Sequence, residues 1–341
     1  MNLIFLSFAA CVLWGIRVQW KGCDENYLSI EKGRSFRGIL ALTVVCHHLA
    51  EKTGDSSLFH LFAFLGFLPV SYFFFLSGYG LQKSYARKPG YRASILKKRI
   101  PSVLVPYLFV TALYWLLSAV EGDPYTLAEV LRSFALGDPI ARFTWYIVFV
   151  LLLYALFWLA TALYRGDQLR GVAWNLLLVL VLTGLFRTLG FSMYWYNSCL
   201  TYPLGVLWAM KEDDWLPFVR KHFWMLFLIL VPVFGAVFLA TLVLVDASWV
   251  LVLYWLSGIL FTAVCLLLQM KVTFGNRLLR TLGDCSMEIY MLHGLFLRLF
   301  RGDRIYMEDP ALWSAAVLVC TCLGAWGLHL LFRGNRKKAT V

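Results

Sequence analysis

Long apolar runs alternate with short polar connections from one end of the chain to the other. Eleven apolar segments can be drawn, over approximately 2–20, 36–50, 59–82, 101–120, 143–164, 172–190, 192–210, 222–245, 247–270, 284–300 and 311–333. A membrane-crossing helix needs about 20 predominantly apolar residues, and the two runs between 222 and 270 are long enough to cross with tilt. Only the stretch from Arg187 to Ser192 separates the sixth run from the seventh. The pattern predicts an all-α polytopic membrane protein of about 11 transmembrane helices.

Charge gives the pattern a direction. With the N-terminus outside, the outer connections hold Lys52, Arg132, Arg142, Arg187, Arg298, Arg301 and Arg304, which leaves 24 of the 31 lysines and arginines on the cytoplasmic side. Cytoplasmic loops carry such an excess, so the expected topology is N-out and C-in with an odd number of spans. Composition agrees: 61% of residues are hydrophobic and 15% charged, against about 25% charged in soluble domains, and mean hydropathy is +0.72. The net charge of +12 is therefore topological and does not point to nucleic acid. The setting expected is a multi-pass protein of the plasma membrane, in contact with its lipids.

The run NLIFLSFAACVLWGI lacks a positive n-region, and Arg17 and Lys21 follow it. It reads as an uncleaved span entering from outside, not as a signal peptide. The expected organisation is an extra N-terminal transmembrane helix over 1–20, a membrane domain over 33–333 and a basic cytoplasmic tail over 334–341. Of the eight cysteines, Cys11, Cys23, Cys46, Cys199, Cys265, Cys285, Cys320 and Cys322, none forms a C-x-x-C pair. Neither a disulfide framework nor a metal site is expected.

Candidate chemistry starts with FRGILALTVVCHHLA, which places Arg37 and His48 eleven residues apart in one apolar run. Eleven steps of about 100° bring both side chains to the same face, with His48 about 16 Å deeper. An ionisable residue at that depth is a functional candidate. Neutral His48 can act as a general base on a hydroxyl, or it packs through a hydrogen bond. His47 points about 100° away and is the weaker candidate. Arg37, at the cytoplasmic interface, suits a phosphate or carboxylate, or it anchors the helix at the lipid headgroups.

The tenth run, LGDCSMEIYMLHGLF, puts Ser286, Tyr290 and His293 on one helical face at i, i+4 and i+7. Glu288 in the same run needs a partner or a water-filled cavity. Hydrogen bonding between spans is the plainer role for all four. Between the third and fourth runs, KKRIPSVLVPY gathers Lys97, Lys98 and Arg99, a landing surface for a phosphorylated cosubstrate or simple positive-inside charge. SYFFFLSGYGL places Ser77 at the inner end of a span, and MYWYNSCLTYPLG places Asn197 within one. Trp145 and Tyr146 open the fifth run, where they stack on a sugar or form an interfacial belt.

Taken in order, the Arg37-x10-His48 run, FFFLSGYGL, KKRIPSVLVPY, the aromatic-Asn-Gly run around 194–205 and GDCSMEIYMLH make the chain resemble the acyltransferase 3 family of integral membrane O-acyltransferases. The resemblance covers roughly 33–330 and leaves the first span as an addition to a ten-span core. It implies that Arg37 and His48 are the family's arginine and histidine pair. It also implies a cytosolic acyl-CoA donor, acetyl-CoA first among them, and no permanently bound cofactor. The acceptor implied is a hydroxyl of a cell-surface or lipid-linked saccharide. Any extracytoplasmic transferase partner is expected to be a separate protein. Two positions depart from the family pattern: Ser102 stands where a second arginine often follows Arg99, and Met287 where an aromatic follows the serine of the tenth span. The competing readings are a membrane exporter of a glycan or lipid-linked intermediate, with the same residues lining its pathway, and an inactive assembly subunit. No internal repeat of the kind that marks transporters is evident.

Overall fold

A computed structural model describes residues 1–54, 57–135, 138–163 and 168–340, without the side chains of 135, 168 and 333–340. Arg165 and the side chains of the expected basic tail lie outside the described residues. The first segment is shorter than its apolar run: α1 covers Asn2–Leu13, and Gly15, at φ +79°, turns the chain into strand β1, Ile16–Val18. Twelve residues rise about 18 Å, short of the roughly 30 Å hydrocarbon core. The expected full-length first span is therefore a short helix joined to a strand.

Helix α2, Ile30–Thr53, starts where the Ser29 hydroxyl accepts the Lys32 amide and stops at Gly54 in the left-handed region. A 3₁₀ segment, Leu58–Phe64, then enters α3, Phe67–Arg87, at a 50° bend. The short α4, Tyr91–Ser94, passes through a π turn at Ile95–Arg99 into α5, Ile100–Glu121. Thr126 and Glu129 form a reciprocal capping box at the start of α6, Leu127–Ala135. The remaining helices are α7, Trp145–Leu163; α8, Gln168–Thr188; α9, Thr201–Lys221; α10, Phe223–Val243; and α11, Val250–Lys271. Strand β2, Val272–Phe274, pairs antiparallel with β1 and leads to α12, Arg277–Asp284. Cys285 separates α12 from α13, Ser286–Leu299, and α14 spans Pro310–Thr340.

Among the described residues six helices are long and apolar enough to cross a membrane: α4–α5, α7, α8, α10, α11 and α14. A seventh is added if the bent 3₁₀–α3 pair counts as one span. The expected eleven are not all of this kind. The seventh run begins its helix at Thr201, and the stretch before it holds only a 3₁₀ turn at Met193–Trp195. α13 alone has 14 residues, and α2 carries charge along its length.

Burial explains the division. α2 is largely enclosed by α12, α13, α3 and α14, whereas apolar α10 is buried only at Phe223 and Thr241. Polar side chains belong in the protein interior and apolar ones face lipid. Lipid supplies no hydrophobic drive to associate, so helices approach through small residues. A Cβ on Gly283 of α12 would overlap the Arg34 carbonyl of α2, and one on Gly205 of α9 would overlap the Phe75 carbonyl of α3.

Candidate active site

The close α2–α12 packing brings the α13 helix alongside α2. His48 then places Nδ1 2.9 Å from Glu51 Oε2. A carboxylate only accepts, so Nδ1–H donates and Nε2 keeps its lone pair. Glu51 follows His48 by three residues and His47 by four, the two spacings that face each other on a helix. His47 Nδ1–H donates to the Phe62 carbonyl at 3.2 Å, and Nε2 lies 3.5 Å from Glu51 Oε1. Gly66 is needed there because any Cβ would enter the His47 ring. His47 is thus held as a strut between α2 and the 3₁₀ segment. The nitrogens of both histidines and a Glu51 oxygen lie within 4.8 Å of one another, a grouping able to hold a metal ion.

On α13, the His293 ring lies nearly parallel to that of His48, 12° apart with centroids at 5.2 Å. Its Nδ1–H donates to the Tyr290 carbonyl at 2.7 Å, while Nε2 is buried without a hydrogen-bond partner among the described residues. Phe143 closes the group, its ring centroid 4.2 Å from His48 and 5.8 Å from His293. Its φ of +63° makes it the only non-glycine residue in the left-handed region among those described, an uncommon and strained conformation for a bulky side chain. Next to His293, a Cβ on Gly294 would sit 2.7 Å from the Arg142 carbonyl and 2.9 Å from Phe143 Cδ2.

A polar thread leads away from these rings. The Tyr146 amide of α7 donates to the Tyr290 hydroxyl at 3.4 Å, and the Tyr146 hydroxyl lies 3.3 Å from Ser77 Oγ of α3. Beyond it the π turn divides the basic triplet. Lys97 and Lys98 are exposed, while Arg99 turns inward with its guanidinium 5.4 Å from the Tyr154 ring. Ser102, in the position of the second arginine, donates its hydroxyl to the Arg99 carbonyl at 2.7 Å. Arg37 is half-buried and its guanidinium makes no hydrogen bond or ion pair among the described residues. One turn earlier, Arg34 pairs with Asp284 at 3.0 Å and ties α2 to the end of α12.

The family model for the acyltransferase domain matches residues 35–330, which includes every side chain just described except Arg34. The chain belongs to the acyltransferase 3 family. No curated protein and no solved structure matches it. In this acyltransferase the matched region leaves α1 and β1 outside.

Seven of the eleven expected site residues fall on or beside this assembly: His48, His293, Tyr290 and Ser77 in the thread, and Lys97, Lys98 and Arg99 at the π turn. Arg37 stands farther down α2. Others go elsewhere. Glu288 faces α14, its Oε1 3.2 Å from His329 Nδ1. The Ser286 hydroxyl makes no hydrogen bond among the described residues. The Asn197 carbonyl oxygen is taken by the Ser198 hydroxyl at 2.7 Å, in a stretch between the 3₁₀ turn and α9 rather than in a span. Sequence reasoning missed Glu51, although its spacing from His48 was in plain view. It also passed over Phe143 and the structural side of Tyr146, which carry no local signal.

Proposed function

We propose that the acyltransferase sits in the plasma membrane, N-out and C-in. It moves an acyl group, acetyl first among the candidates, from cytosolic acyl-CoA to a hydroxyl of a cell-surface or lipid-linked saccharide. The observation that carries this reading is His48, with Nδ1–H fixed on Glu51 and Nε2 left as the basic atom. A base oriented by a third group is the arrangement that activates a weak nucleophile.

Arg37, Lys97, Lys98 and Arg99 hold the donor's phosphates as charge-assisted partners. Two routes fit the geometry. As a base, His48 Nε2 takes the acceptor hydroxyl proton while that oxygen attacks the thioester carbonyl; the C–S bond breaks and the CoA thiolate leaves with the proton from His48. As a relay, Nε2 itself attacks the carbonyl, the C–S bond breaks and CoA leaves as its thiolate, giving an acyl-imidazolium whose Nδ1–H stays on Glu51. The acceptor hydroxyl then displaces the acyl group, regenerates the neutral imidazole and releases its proton to solvent, where it balances the thiolate. The unpartnered His293 Nε2 and the hydroxyls of Tyr290 and Ser77 line the way between donor and acceptor.

The test uses the full chain in lipid nanodiscs with acetyl-CoA. His48→Ala is expected to lower CoA release by about 10²–10⁴-fold, and Arg37→Ala to raise the KM for acetyl-CoA. CoA release that survives His48→Ala undiminished would sink the assignment. Saccharide export lost in cells, with acylation unchanged, would put an exporter in its place. An acyl group recovered on His48 by rapid-quench mass spectrometry without acceptor selects the relay.

A further inference from the structure

A cavity of about 640 Å³ opens beside the histidine rings, at the C-terminal ends of α2 and α13. Lys52, Arg142, Arg298 and Arg301 line it, with Tyr306 and Trp313. Phe143 is part of its wall and touches His48 on the other side. These four cations are four of the seven basic residues that the topology leaves outside. The charge bias depletes that side, so it does not account for their gathering at one opening. Helix dipoles favour Lys52 and Arg298 in the last turns of α2 and α13. They also reach Arg301, two residues past the end of α13, but disfavour Arg142, three residues before the start of α7.

Part of the charge is already used. Arg298 pairs with Glu121 and donates to the Tyr125 hydroxyl at 3.2 Å. Arg301 lies over the Trp313 ring at 3.9 Å and bonds the Met307 and Lys52 carbonyls, each at 3.4 Å. Lys52 and Arg142 have neither ion pair nor side-chain hydrogen bond among the described residues, and both are exposed. Two uncommitted cations, backed by two fixed guanidiniums and flanked by aromatic faces, form a seat for a negatively charged, ring-bearing ligand.

Resting on the acyl-transfer reading above, we propose that this cavity seats an anionic group of the acceptor, so that the acceptor is a glycan bearing carboxylate or phosphate. The anion sits among Lys52, Arg142 and Arg301, and the neighbouring sugar hydroxyl is presented past Phe143 to His48. Charge then selects the acceptor, and the strained Phe143 separates its seat from the reacting atoms.

The seat can be tested without turnover. Tyr306→Cys puts a thiol on a side chain that is 68% exposed at the cavity. Its alkylation by a neutral maleimide is followed by site-resolved mass spectrometry on the full chain in zwitterionic nanodiscs. The probes are a galacturonate trisaccharide, glucose 1-phosphate, a neutral galactose trisaccharide, CoA and phosphatidate in the nanodisc. The two anionic sugars are expected to protect at concentrations at least about tenfold below the neutral one, and adding Arg142→Gln should erase about tenfold of that preference. Equal protection by neutral and anionic sugars overturns the inference. So does protection by CoA as strong as by the anionic sugars, which would make this the donor seat, or protection by phosphatidate alone, which would make it a lipid site. CoA release that depends on His48, measured on the parent chain, reports separately on acyl transfer: if it persists while the charge preference fails, only the acceptor inference falls.

Discussion

At the residue scale the site turns on one hydrogen bond. In the proposed chemistry His48 needs its Nδ1 proton pinned for Nε2 to point at a substrate, and Glu51 is the group in place to pin it. Glu51→Gln is expected to lower kcat roughly tenfold or more, the worth of a charged hydrogen bond, while the KM for acyl-CoA and the unfolding temperature stay put. A parallel fall in stability would mark Glu51 as merely structural. His47, His48 and Glu51 also test against metal: treatment with a chelator is expected to leave CoA release unchanged. Activity lost on chelation and restored by zinc would replace the base with a metal-bound centre. Gly294 answers a different question. Gly294→Ala should drive Arg142 and Phe143 off the cavity wall, at about 1–3 kcal/mol of overpacking, and slow transfer to acceptor more than CoA binding. Of this local chemistry, His48 and its phase with Arg37 were legible because helical geometry is periodic. Phe143 was not, since its role depends on a backbone turn and two helices remote in sequence.

Elements are joined here by close backbone approach and by polar pins. Gly283→Ala should separate α12 from α2 at the Arg34 carbonyl and cost about 1–3 kcal/mol, seen as a lower melting temperature in detergent. The pins show at the start of α2, where Asp24 pairs with Lys32 and accepts the Asn26 amide at 2.7 Å. Burial alone would raise the Asp24 pKa; the Lys32 bond and the Asn26 amide outweigh it and hold the carboxyl below its usual range. A depressed folded value means that the stabilisation is full above the unfolded pKa of about 3.9 and is lost as pH falls through the folded value. Asp24→Asn is therefore expected to speed hydrogen exchange at the Gly33 amide at neutral pH, a difference that fades in acid. Apolar length located the lipid-facing helices well. It misjudged the 192–200 stretch because hydrophobicity reports burial in lipid or protein alike, and the chain there is largely enclosed without being helical throughout; α1 falls short because Gly15 turns the chain into β1.

For the whole molecule, polarity is turned inward: charged α2 is central and apolar α10 is peripheral. The two ends of α2 face different chemistry, Arg37 with the Arg34–Asp284 pair at one and the cationic cavity at the other. If the proposed orientation holds, a membrane-impermeant maleimide added to intact cells labels Tyr306→Cys at once and Lys98→Cys only after permeabilisation. The reverse order would invert donor and acceptor sides. The proposed orientation rests on charge bias alone, whereas Glu288–His329 lay beyond any reading of the sequence, because two residues 41 positions apart meet only when α13 and α14 pack.

The β1–β2 pair has a consequence for how the protein is made. Asn276 hydrogen-bonds the Cys11 and Trp14 carbonyls, and β1 finds its partner only at Val272–Phe274. α1 can rest early on the 3₁₀ segment, where Phe5 and Phe8 meet Phe62, yet β1 has no strand to pair with until about 250 further residues have been made, roughly 13–50 s later at usual elongation rates. β1 is therefore a late clasp, closed only once the chain has passed α11 and made its partner strand.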